Sequence, residues 1–254
     1  MATLVFMAEI HEDRRRALSF GAVADAYDRL RPAYADATID AITEHASTVV
    51  DVGAGTGILS RQLRERGLEV LAVEPDAAMA DVARTAGLPT EVATFEDWDS
   101  ARRTFDLVTF GQSFHWVDPD AALTRLPGLL NPGGRVAMLW NKLRPTTPSH
   151  DELRAANADY VDRHALSNDP TRAESADARL RERFTEAGWT VTSRADSWIE
   201  TQPADRWLDL IFTYSAHSTL PDDRKAALRA DLSQLIGDRG VELSASTFAL
   251  LAQW

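Results

Sequence analysis

The residues around the first glycine-rich turn constrain the fold of this chain more than any other stretch. A mostly apolar, β-branched run from Val49 to Val52 leads into Gly53-Ala54-Gly55-Thr56-Gly57, and Ile58–Leu63 follows with helical spacing. A strand, a tight turn and a helix in this order are typical of the first unit of a nucleotide-binding α/β fold. Glycine suits the turn because the backbone bends sharply and a flat ligand approaches without a Cβ in the way. A purely structural turn is the alternative.

The spacing of the glycines narrows the class of ligand. A dinucleotide fingerprint is G-x-G-x-x-G, in which the third glycine lets the helix pack close to the strand beneath a pyrophosphate. Here Ile58 occupies that third position, and the third glycine falls one residue earlier, at Gly57. The pattern therefore disfavours NAD and favours a nucleoside ligand without phosphates, of which S-adenosylmethionine is the obvious one.

A second predicted strand, Glu69–Glu74, ends in a carboxylate a little under twenty residues past Gly57. An ionised carboxylate accepts hydrogen bonds from both hydroxyls of a ribose, and an acid at this point does so in dinucleotide-binding folds. We therefore predict Glu74 as a ribose ligand, with an ordinary surface carboxylate as the alternative. Pro75 stops the strand, and Asp76 is predicted to cap the helix that begins at Ala77.

Strands and helices then continue to alternate. The further predicted strands cover 90–93, 105–110, 135–140, 189–198 and 247–252, and a turn at 131–134 precedes the third of these. The predicted helices begin near Ala121 and cover 151–163, 176–187, 204–214 and 222–236. Apolar strands that alternate with helices imply a mostly parallel sheet covered on both faces.

This succession resembles the class I S-adenosylmethionine-dependent methyltransferases, and within them the small-molecule type 11 group. The segments that carry the resemblance are Asp51–Gly57, Ala72–Asp76, Gly111–Trp116 and Leu130–Gly134. Two more segments, Ala26–Tyr34 and Ser113–Asp118, are similar to a subgroup that includes trans-aconitate methyltransferases. The resemblance covers most of the chain, from about Phe20 onward.

The resemblance implies a fold, a cofactor and a reaction type. The fold is a Rossmann-like seven-stranded, mostly parallel sheet with helices on both faces, an antiparallel last strand and a helical lid. One methyltransferase domain is expected over 1–254, with an N-terminal helical cover over 1–40 and a lid insertion over 143–187. S-adenosylmethionine is the implied cofactor. The acceptor is not implied, because this fold carries many unrelated acceptors.

The predicted cofactor-binding residues lie in the turns after the strands and in the N-terminal segment. They are Asp51, Gly53, Ala54, Gly55, Gly57, Glu74, Pro75, Met79, Thr94, Phe95, Glu96, Gly111, Gln112, Tyr27 and Arg31. In the family, the residues after the third strand flank the adenine. Phe95 would supply an apolar surface there and Glu96 an acceptor for the exocyclic amine, whereas a core position is the alternative for Phe95.

Tyr27, Arg31 and Tyr34 form a second group of candidates. On an N-terminal helix, spacings of four and three residues place them on one side. In the family this segment folds over the cofactor, where an arginine holds a carboxylate by a bidentate pair. That carboxylate belongs either to the methionine moiety or to an acidic acceptor. An ordinary surface arginine beside two packed tyrosines is the alternative.

His115 and Trp116 are the candidate catalytic residues. His115 follows the fourth strand, at the carboxyl edge of the sheet where ligands bind in such folds. It is a candidate base if the acceptor is a hydroxyl or an amine, whereas a carboxylate acceptor needs no base. A histidine bonded to a loop carbonyl is the alternative. Trp116 is a candidate for shaping the pocket or for a cation–π contact with the sulfonium, and ordinary packing is the alternative.

Composition excludes several other classes. The chain has 39 acidic and 27 basic residues, a net charge of −12, which argues against nucleic acid as acceptor. Without cysteine there are no disulfides or thiolate metal sites, and the six histidines lack metal spacing, so no metal is expected. No apolar run suits a membrane span and the first residues do not resemble a signal peptide, so we expect a cytoplasmic protein.

The sequence thus predicts a methyltransferase for a small-molecule acceptor, with a carboxylate among the candidate acceptors. A cofactor-binding but non-catalytic or regulatory protein of the same fold is the alternative. An acceptor pocket beside His115 and Trp116 would favour the enzyme. The oligomeric state is left open.

Overall fold

The computed structural model describes residues 24–161 and 170–254, along which helices and strands alternate. The helices are α1 Ala24–Leu30, α2 Asp36–Thr43, α3 Ile58–Glu65, α4 Ala77–Thr85, α5 Pro119–Arg125, α6 His150–Asn157, α7 Pro170–Glu186, α8 Ala204–Ile211, α9 Ser215–Ser218 and α10 Asp222–Ile236. The strands are β1 Thr48–Val52, β2 Glu69–Val73, β3 Thr90–Glu91, β4 Phe105–Gly111, β5 Leu130–Thr147, β6 Thr190–Gln202 and β7 Val241–Gln253.

These strands form one seven-stranded sheet in the order β3-β2-β1-β4-β5-β7-β6. The pairs from β3 to β5 are parallel, and β7 runs antiparallel to both β5 and β6. The predicted Rossmann-like sheet with an antiparallel last strand is confirmed. The chain winds outward in opposite directions from the β1–β4 pair, and ligands of such sheets bind at the carboxyl ends of the strands beside this switch point.

Both faces of the sheet are buried, which explains why its central strands are apolar at nearly every position. Val50 and Val108 lie in a cluster on one face together with Phe110. Val49 and Leu107 are the adjacent residues of the same two strands and lie in a separate cluster. Successive side chains of a strand point to opposite faces, so a strand covered on both sides needs apolar residues throughout.

A third hydrophobic cluster joins α6, α8 and α10 to the beginning of β7. It includes Leu153, Trp207, Leu208, Leu228 and Leu232. Helix α8 also contacts α1. Segments from four distant parts of the chain therefore form one layer near the N-terminal helix.

Two strands are much longer than the sequence predicted. β5 begins at Leu130 and continues to Thr147, and β7 begins at Val241, so the predicted bounds of 135–140 and 247–252 are wrong. At the predicted turn, 131–134, the pairing of β5 with β4 shifts in register and Gly133 has a φ of 80°. β5 and β7 pair from Arg135 with Gln253 to Thr147 with Glu242. The ladder of backbone hydrogen bonds extends both strands. In the extension of β7, buried Val241, Leu243 and Ala245 alternate with exposed or partly exposed polar residues, a pattern that the sequence analysis missed.

Other differences concern the ends of elements. β3 ends at Glu91, α5 begins at Pro119 rather than near Ala121, and α8 ends at Ile211, before the predicted end at 214. The short helix α9 after it was not predicted. Helix α10 has the predicted bounds. Helix α6 ends at Asn157, before the predicted end at 163.

The predicted cover and lid are described in part. Residues 1–23 of the cover and 162–169 of the lid lie outside the described residues. Within the predicted lid, residues 143–147 belong to β5, and Leu180 and Phe184 of α7 pack in the first cluster. Among the helices of the described ranges, none combines the length and apolarity needed to cross a bilayer.

Candidate active site

The glycine turn after β1 is fixed by hydrogen bonds to the end of β2. The backbone N–H groups of Gly53 and Ala54 donate to the carbonyl of Val73 at 2.8 and 3.1 Å. The N–H of Gly55 donates to the Glu74 carboxylate at 2.8 Å. Gly55 has a φ of 59°, and a Cβ built on it would meet no atom within 4 Å. The turn therefore leaves space on the side of Gly55, as an approaching ligand requires.

Gly57 ends the turn and begins α3. Its φ of 85° is left-handed, a conformation that glycine adopts without strain. A Cβ at this position would also collide with the side chain of Leu88. The early third glycine is thus required by the local backbone and by packing against the chain after α4.

Glu74 lies at the end of β2 and is 7% exposed. Its two carboxylate oxygens accept hydrogen bonds from the backbone N–H groups of Gly55 and Asp76, each at 2.8 Å. Burial raises the pKa of Glu74 to about 7, although these two N–H donors lower it. A carboxylate has about four acceptor positions, so two are left for the hydroxyls of a ribose.

The residues after Glu74 include the predicted Asp76 cap and two predicted cofactor-binding residues, Pro75 and Met79, whose binding role stays a prediction. The carboxylate of Asp76 accepts from the N–H groups of Ala78 and Met79 at 2.9 and 3.3 Å, which confirms the helix cap. Met79 is buried in the first turn of α4, and Pro75 is half-buried between Glu74 and this cap.

Asp51 lies behind the glycine turn and is completely buried. Its carboxylate accepts from the hydroxyls of Ser60 at 2.6 Å and Thr109 at 2.9 Å. Burial raises the pKa of Asp51 to about 6, against the effect of these two donors. Asp51 thus joins β1 to α3 and β4, and its position bears on the shape of the turn. A role in cofactor binding stays a prediction.

The three residues predicted to flank the adenine all have protein partners. Phe95 is 3% exposed and packs edge-on against Phe110, with ring centroids 5.6 Å apart. Glu96 accepts the N–H of Asp118 at 3.0 Å, and the Thr94 hydroxyl bonds Asp97 at 2.9 Å. The packing places Phe95 in the core, and the adenine contact stays a prediction.

Gly111 ends β4, and Gln112 follows it. The phenolic oxygen of Tyr34 would lie 2.7 Å from a Cβ on Gly111, so the two segments approach closely. Gln112 has a φ of 57°, which is uncommon for a residue other than glycine. Its backbone N–H donates to Leu139 at 2.9 Å and its side-chain amide to Asn141 at 3.0 Å. Backbone strain held in this way concentrates at functional sites.

Asn141 and Thr247 hold the N-terminal segment against this edge, and sequence reasoning missed both. The amide nitrogen of Asn141 donates to the carbonyls of Pro32 and Ala33 at 3.1 and 3.0 Å. The Thr247 hydroxyl donates to the Asn141 oxygen at 2.6 Å and accepts the N–H of Ala35 at 2.9 Å. Both residues lie near the point where β5 and β7 leave the predicted bounds, so no sequence pattern indicated them.

Three of the four tyrosines of the chain lie near Arg31. The guanidinium carbon of Arg31 is 4.6 Å from the ring centre of Tyr27 and 4.0 Å from that of Tyr214. Tyr34 is buried, and burial raises its pKa while the nearby charge of Arg31 lowers it. The pKa of Tyr27 is raised by burial and by its neighbours Tyr214 and Glu74. The arginine cluster, Tyr27–Arg31–Tyr214, therefore adjoins the predicted ribose site.

The predicted helix through this cluster is wrong in its extent. Helix α1 ends at Leu30, so Arg31 and Tyr34 lie beyond it. Pro32 explains the end, because the residue before a proline is driven out of the helical conformation. Tyr27 and Arg31 still meet, since the N–H of Arg31 donates to the Tyr27 carbonyl at 3.0 Å. Tyr214 was missed because it follows α8, far away in the sequence.

The guanidinium of Arg31 has unused hydrogen-bonding capacity. Its Nε is buried and has no hydrogen-bond partner among the described residues. None of the ion pairs found within the described ranges includes Arg31. Burial of a polar or charged group without a partner is unfavourable, so an anion would be bound here with a gain in free energy.

Helix α1 is fastened to the helix after the glycine turn. The guanidinium of Arg61 donates to the Asp28 carboxylate at 2.7 Å and to the Thr56 carbonyl at 2.9 Å. The Thr56 hydroxyl oxygen is itself buried without a partner in the described part of the chain. Arg61 and Thr56 were not among the predicted site residues.

His115 and Trp116 lie in a short 3-10 helix directly after β4. Both are half-buried, and their ring centroids are 4.8 Å apart. The neighbouring Phe114 is buried in the first cluster, and the Ser113 hydroxyl donates to the Val52 carbonyl at 2.5 Å. These contacts hold the segment beside the glycine turn, at the predicted edge of the sheet. The chemical roles of the two residues stay predictions.

No group of three or more histidine, aspartate or glutamate side chains in the described ranges is arranged to hold a metal ion. The polar groups at the carboxyl edge instead offer the contacts of an organic ligand. Glu74 has acceptor positions left over, the Thr56 hydroxyl has no partner among the described residues, and the Arg31 cation lies between two aromatic rings.

Comparisons with known proteins agree with this geometry. Residues 50–138 match the family described as "Methyltransferase domain". An uncharacterized methyltransferase of Mycobacterium bovis is 33% identical over 241 residues, which cover 93% of each chain. A malonyl-[acyl-carrier protein] O-methyltransferase of Salmonella typhimurium is 31% identical over 204 residues, 76% of each chain. A solved structure from Anaeromyxobacter dehalogenans, described as a proposed type II methyltransferase, has a TM-score of 0.59 at 22% identity and covers 87% of this chain and 97% of its own.

Proposed function

The chain belongs to the class I S-adenosylmethionine-dependent methyltransferases, and we propose that it methylates a carboxylate of a small molecule held by Arg31. The cofactor of this family supplies a methyl group on a sulfonium, which is already activated for direct displacement. The residues of the chain then have to bind the two reactants and align them.

The observation that carries the proposal is the unsatisfied guanidinium of Arg31. It lies between the rings of Tyr27 and Tyr214, and its Nε is buried without a partner among the described residues. Arginine presents a planar fork of donors that matches a carboxylate, and aromatic faces hold that plane in one orientation. A small carboxylate is the ligand that this arrangement fits best.

The cofactor half of the site is proposed from the glycine turn and Glu74. The open side of Gly55 admits the nucleoside, and the free acceptor positions of Glu74 receive the ribose hydroxyls. The charge of Glu74 acts on Tyr27, and helix α1 contacts helix α4, so a carboxylate bound at Arg31 would lie on the side of the proposed cofactor site. Alignment alone supplies much of the rate, since well-oriented reactants reach effective molarities of about 10⁵–10⁸ M.

A carboxylate acceptor also fits the other groups at this edge. A carboxylate is ionised at neutral pH and attacks without losing a proton, so no general base is needed. His115 then shapes the pocket with Trp116. One relative supports an oxygen acceptor, because its name describes O-methylation of a malonyl group, which carries a free carboxyl.

The test begins with a screen of small carboxylic acids, using isotopically labelled S-adenosylmethionine and detection of methyl esters by mass spectrometry. With the best substrate, Arg31→Met should raise the Michaelis constant on the order of 10- to 100-fold, because a charge-assisted pair contributes about 1.5–3 kcal/mol. His115→Ala should change turnover little. Arg29→Met is the matched control, because Arg29 lies exposed in the last turn of α1, two residues before Arg31.

Three results separate the alternatives. If Arg31→Met weakens binding of S-adenosylhomocysteine and leaves the Michaelis constant of the acid unchanged, Arg31 binds the methionine carboxylate of the cofactor. If the substrate proves to be a hydroxyl or amine and His115→Ala costs on the order of 10²–10⁴-fold in turnover, His115 is a general base and the carboxylate proposal is wrong. If both variants keep wild-type kinetics, the acceptor is bound elsewhere.

A further inference from the structure

A buried histidine, His217 in α9, forms a polar pair with Asn157 at the end of α6. Its side chain is 5% exposed, and its Nε2 lies 2.9 Å from the Oδ1 of Asn157. The other amide atom of Asn157, Nδ2, donates to the Leu153 carbonyl at 2.7 Å. This second bond fixes the amide with its oxygen toward the imidazole.

The pair determines which imidazole nitrogen carries the proton. An amide oxygen only accepts, so Nε2 must donate, and in the neutral ring Nδ1 is then a bare acceptor. Burial lowers the pKa of His217 to about 4, so the ring is neutral at physiological pH. Its Nδ1 is buried and has no hydrogen-bond partner among the described residues. The fold thus presents an oriented, unused hydrogen-bond acceptor.

The position of His217 connects it with the arginine cluster. Its backbone N–H donates to the carbonyl of Tyr214 at 2.9 Å, and the Tyr214 ring covers the guanidinium of Arg31. The Phe212 ring packs edge-on against the imidazole, with centroids 5.7 Å apart. One short segment therefore carries both the aromatic cover of Arg31 and the unused acceptor.

Arg31 and His217 each hold a buried polar atom without a hydrogen-bond partner among the described residues. Within the described ranges five such side-chain atoms are found, and three of them belong to Arg31, Thr56 and His217. Native proteins contain few of these atoms, because each one lowers the stability of the fold unless a ligand or water satisfies it. A ligand that binds at the carboxyl edge would satisfy them together.

We propose that His217 is a recognition residue for the methyl acceptor, whose Nδ1 accepts a hydrogen bond from a hydroxyl or N–H group of that molecule. The inference rests on the proposed function, in which Arg31 holds a carboxylate. Arg31 Nε only donates and His217 Nδ1 only accepts, so the two residues select different groups. The substrate class is then a small acid that also carries a hydrogen-bond donor, such as a hydroxy acid.

The test compares acids that differ in one hydroxyl, succinate with malate and glutarate with 2-hydroxyglutarate, as methyl acceptors. The wild-type protein should favour the hydroxy acid on the order of 10- to 100-fold in kcat/KM, since a buried acceptor left unpaired is costly. His217→Phe should abolish this preference, so that the two acids of each pair are methylated with similar kcat/KM. His217→Gln, which keeps an acceptor, should retain part of it. His45→Phe is the control, because the His45 side chain is 90% exposed.

A second measurement does not depend on turnover. Long-range ¹H–¹⁵N spectra of histidine-labelled protein with S-adenosylhomocysteine should show His217 protonated at Nε2 only, and its Nδ1 resonance should move when malate is added but not with succinate. A proton on Nδ1, or equal rates for both acids in wild type and His217→Phe, would overturn the inference while the carboxylate proposal stands. Methylation of no acid at all would overturn both.

Discussion

Removal of the buried charge of Asp51 should stabilise the protein. Asp51 has an ordinary pKa of 3.8 and a pKa of about 6 in the folded protein because of burial. Below pH 3.8 the carboxyl is protonated in both the folded and the unfolded state, so its charge does not affect the free energy of unfolding. As the pH rises from about 4 to 6, the folded state keeps a proton that the unfolded state releases, so the free energy of unfolding falls. Above pH 6 the buried charge of Asp51 lowers the free energy of unfolding by its full amount, about 3 kcal/mol at 1.36 kcal/mol per pKa unit.

The variant Asp51→Asn keeps the hydrogen bonds and removes the charge. The Asn oxygen accepts from Ser60, and the new amide donates to Thr109, whose hydroxyl turns toward the Val50 carbonyl 3.5 Å away. The variant should therefore be more stable than wild type by about 3 kcal/mol at pH 8 and by roughly half of that at pH 5.

Urea unfolding followed by tryptophan fluorescence, without cofactor, measures this difference. Asp238→Asn is the control, because Asp238 is exposed. A variant that is less stable than wild type, or a difference that does not grow with pH, would refute the reasoning from burial.

Two further predictions concern the cofactor half of the site. Glu74→Ala should weaken S-adenosylhomocysteine binding by about 1.5–3 kcal/mol in calorimetry, the range for hydrogen bonds to a charged group, and an unchanged dissociation constant would show that Glu74 is not the ribose ligand. Phe95→Ala should lower the free energy of unfolding by about 3–5 kcal/mol in urea, because Phe95 packs in the core against Phe110. Loss of cofactor affinity at wild-type stability would instead assign Phe95 to the adenine.

The cofactor half could be predicted because its information is local. The left-handed conformation of Gly57 and the Asp76 cap depend on residues that are neighbours in the sequence. Backbone sterics and helix capping act over a few residues, so a single sequence displays them. The same reason explains why α10 has the predicted bounds, since Pro221 precedes it and Gly237 ends it.

The long strands could not be predicted because their hydrogen bonds join distant segments. β5 continues through Asn141 and Pro145 only because β7 pairs with it about a hundred residues later. No local pattern of apolar residues marks this extension. Asn141 and Thr247, which anchor the N-terminal segment, were missed for the same reason.

The proposed acceptor half of the site depends both on residues that are close in the sequence and on residues that are distant in it. The sequence placed Arg31 beside Tyr27, but its second aromatic partner, Tyr214, lies in the segment after α8 and is distant in the sequence. His217 depends on Asn157 of α6 for its tautomer, so neither residue alone indicates a role. The acceptor is therefore best inferred from the donors and acceptors that the folded chain leaves unpaired. Since Tyr214 and His217 belong to one short segment, substitutions there should change the choice of acceptor while the glycine turn and Glu74 continue to bind the cofactor.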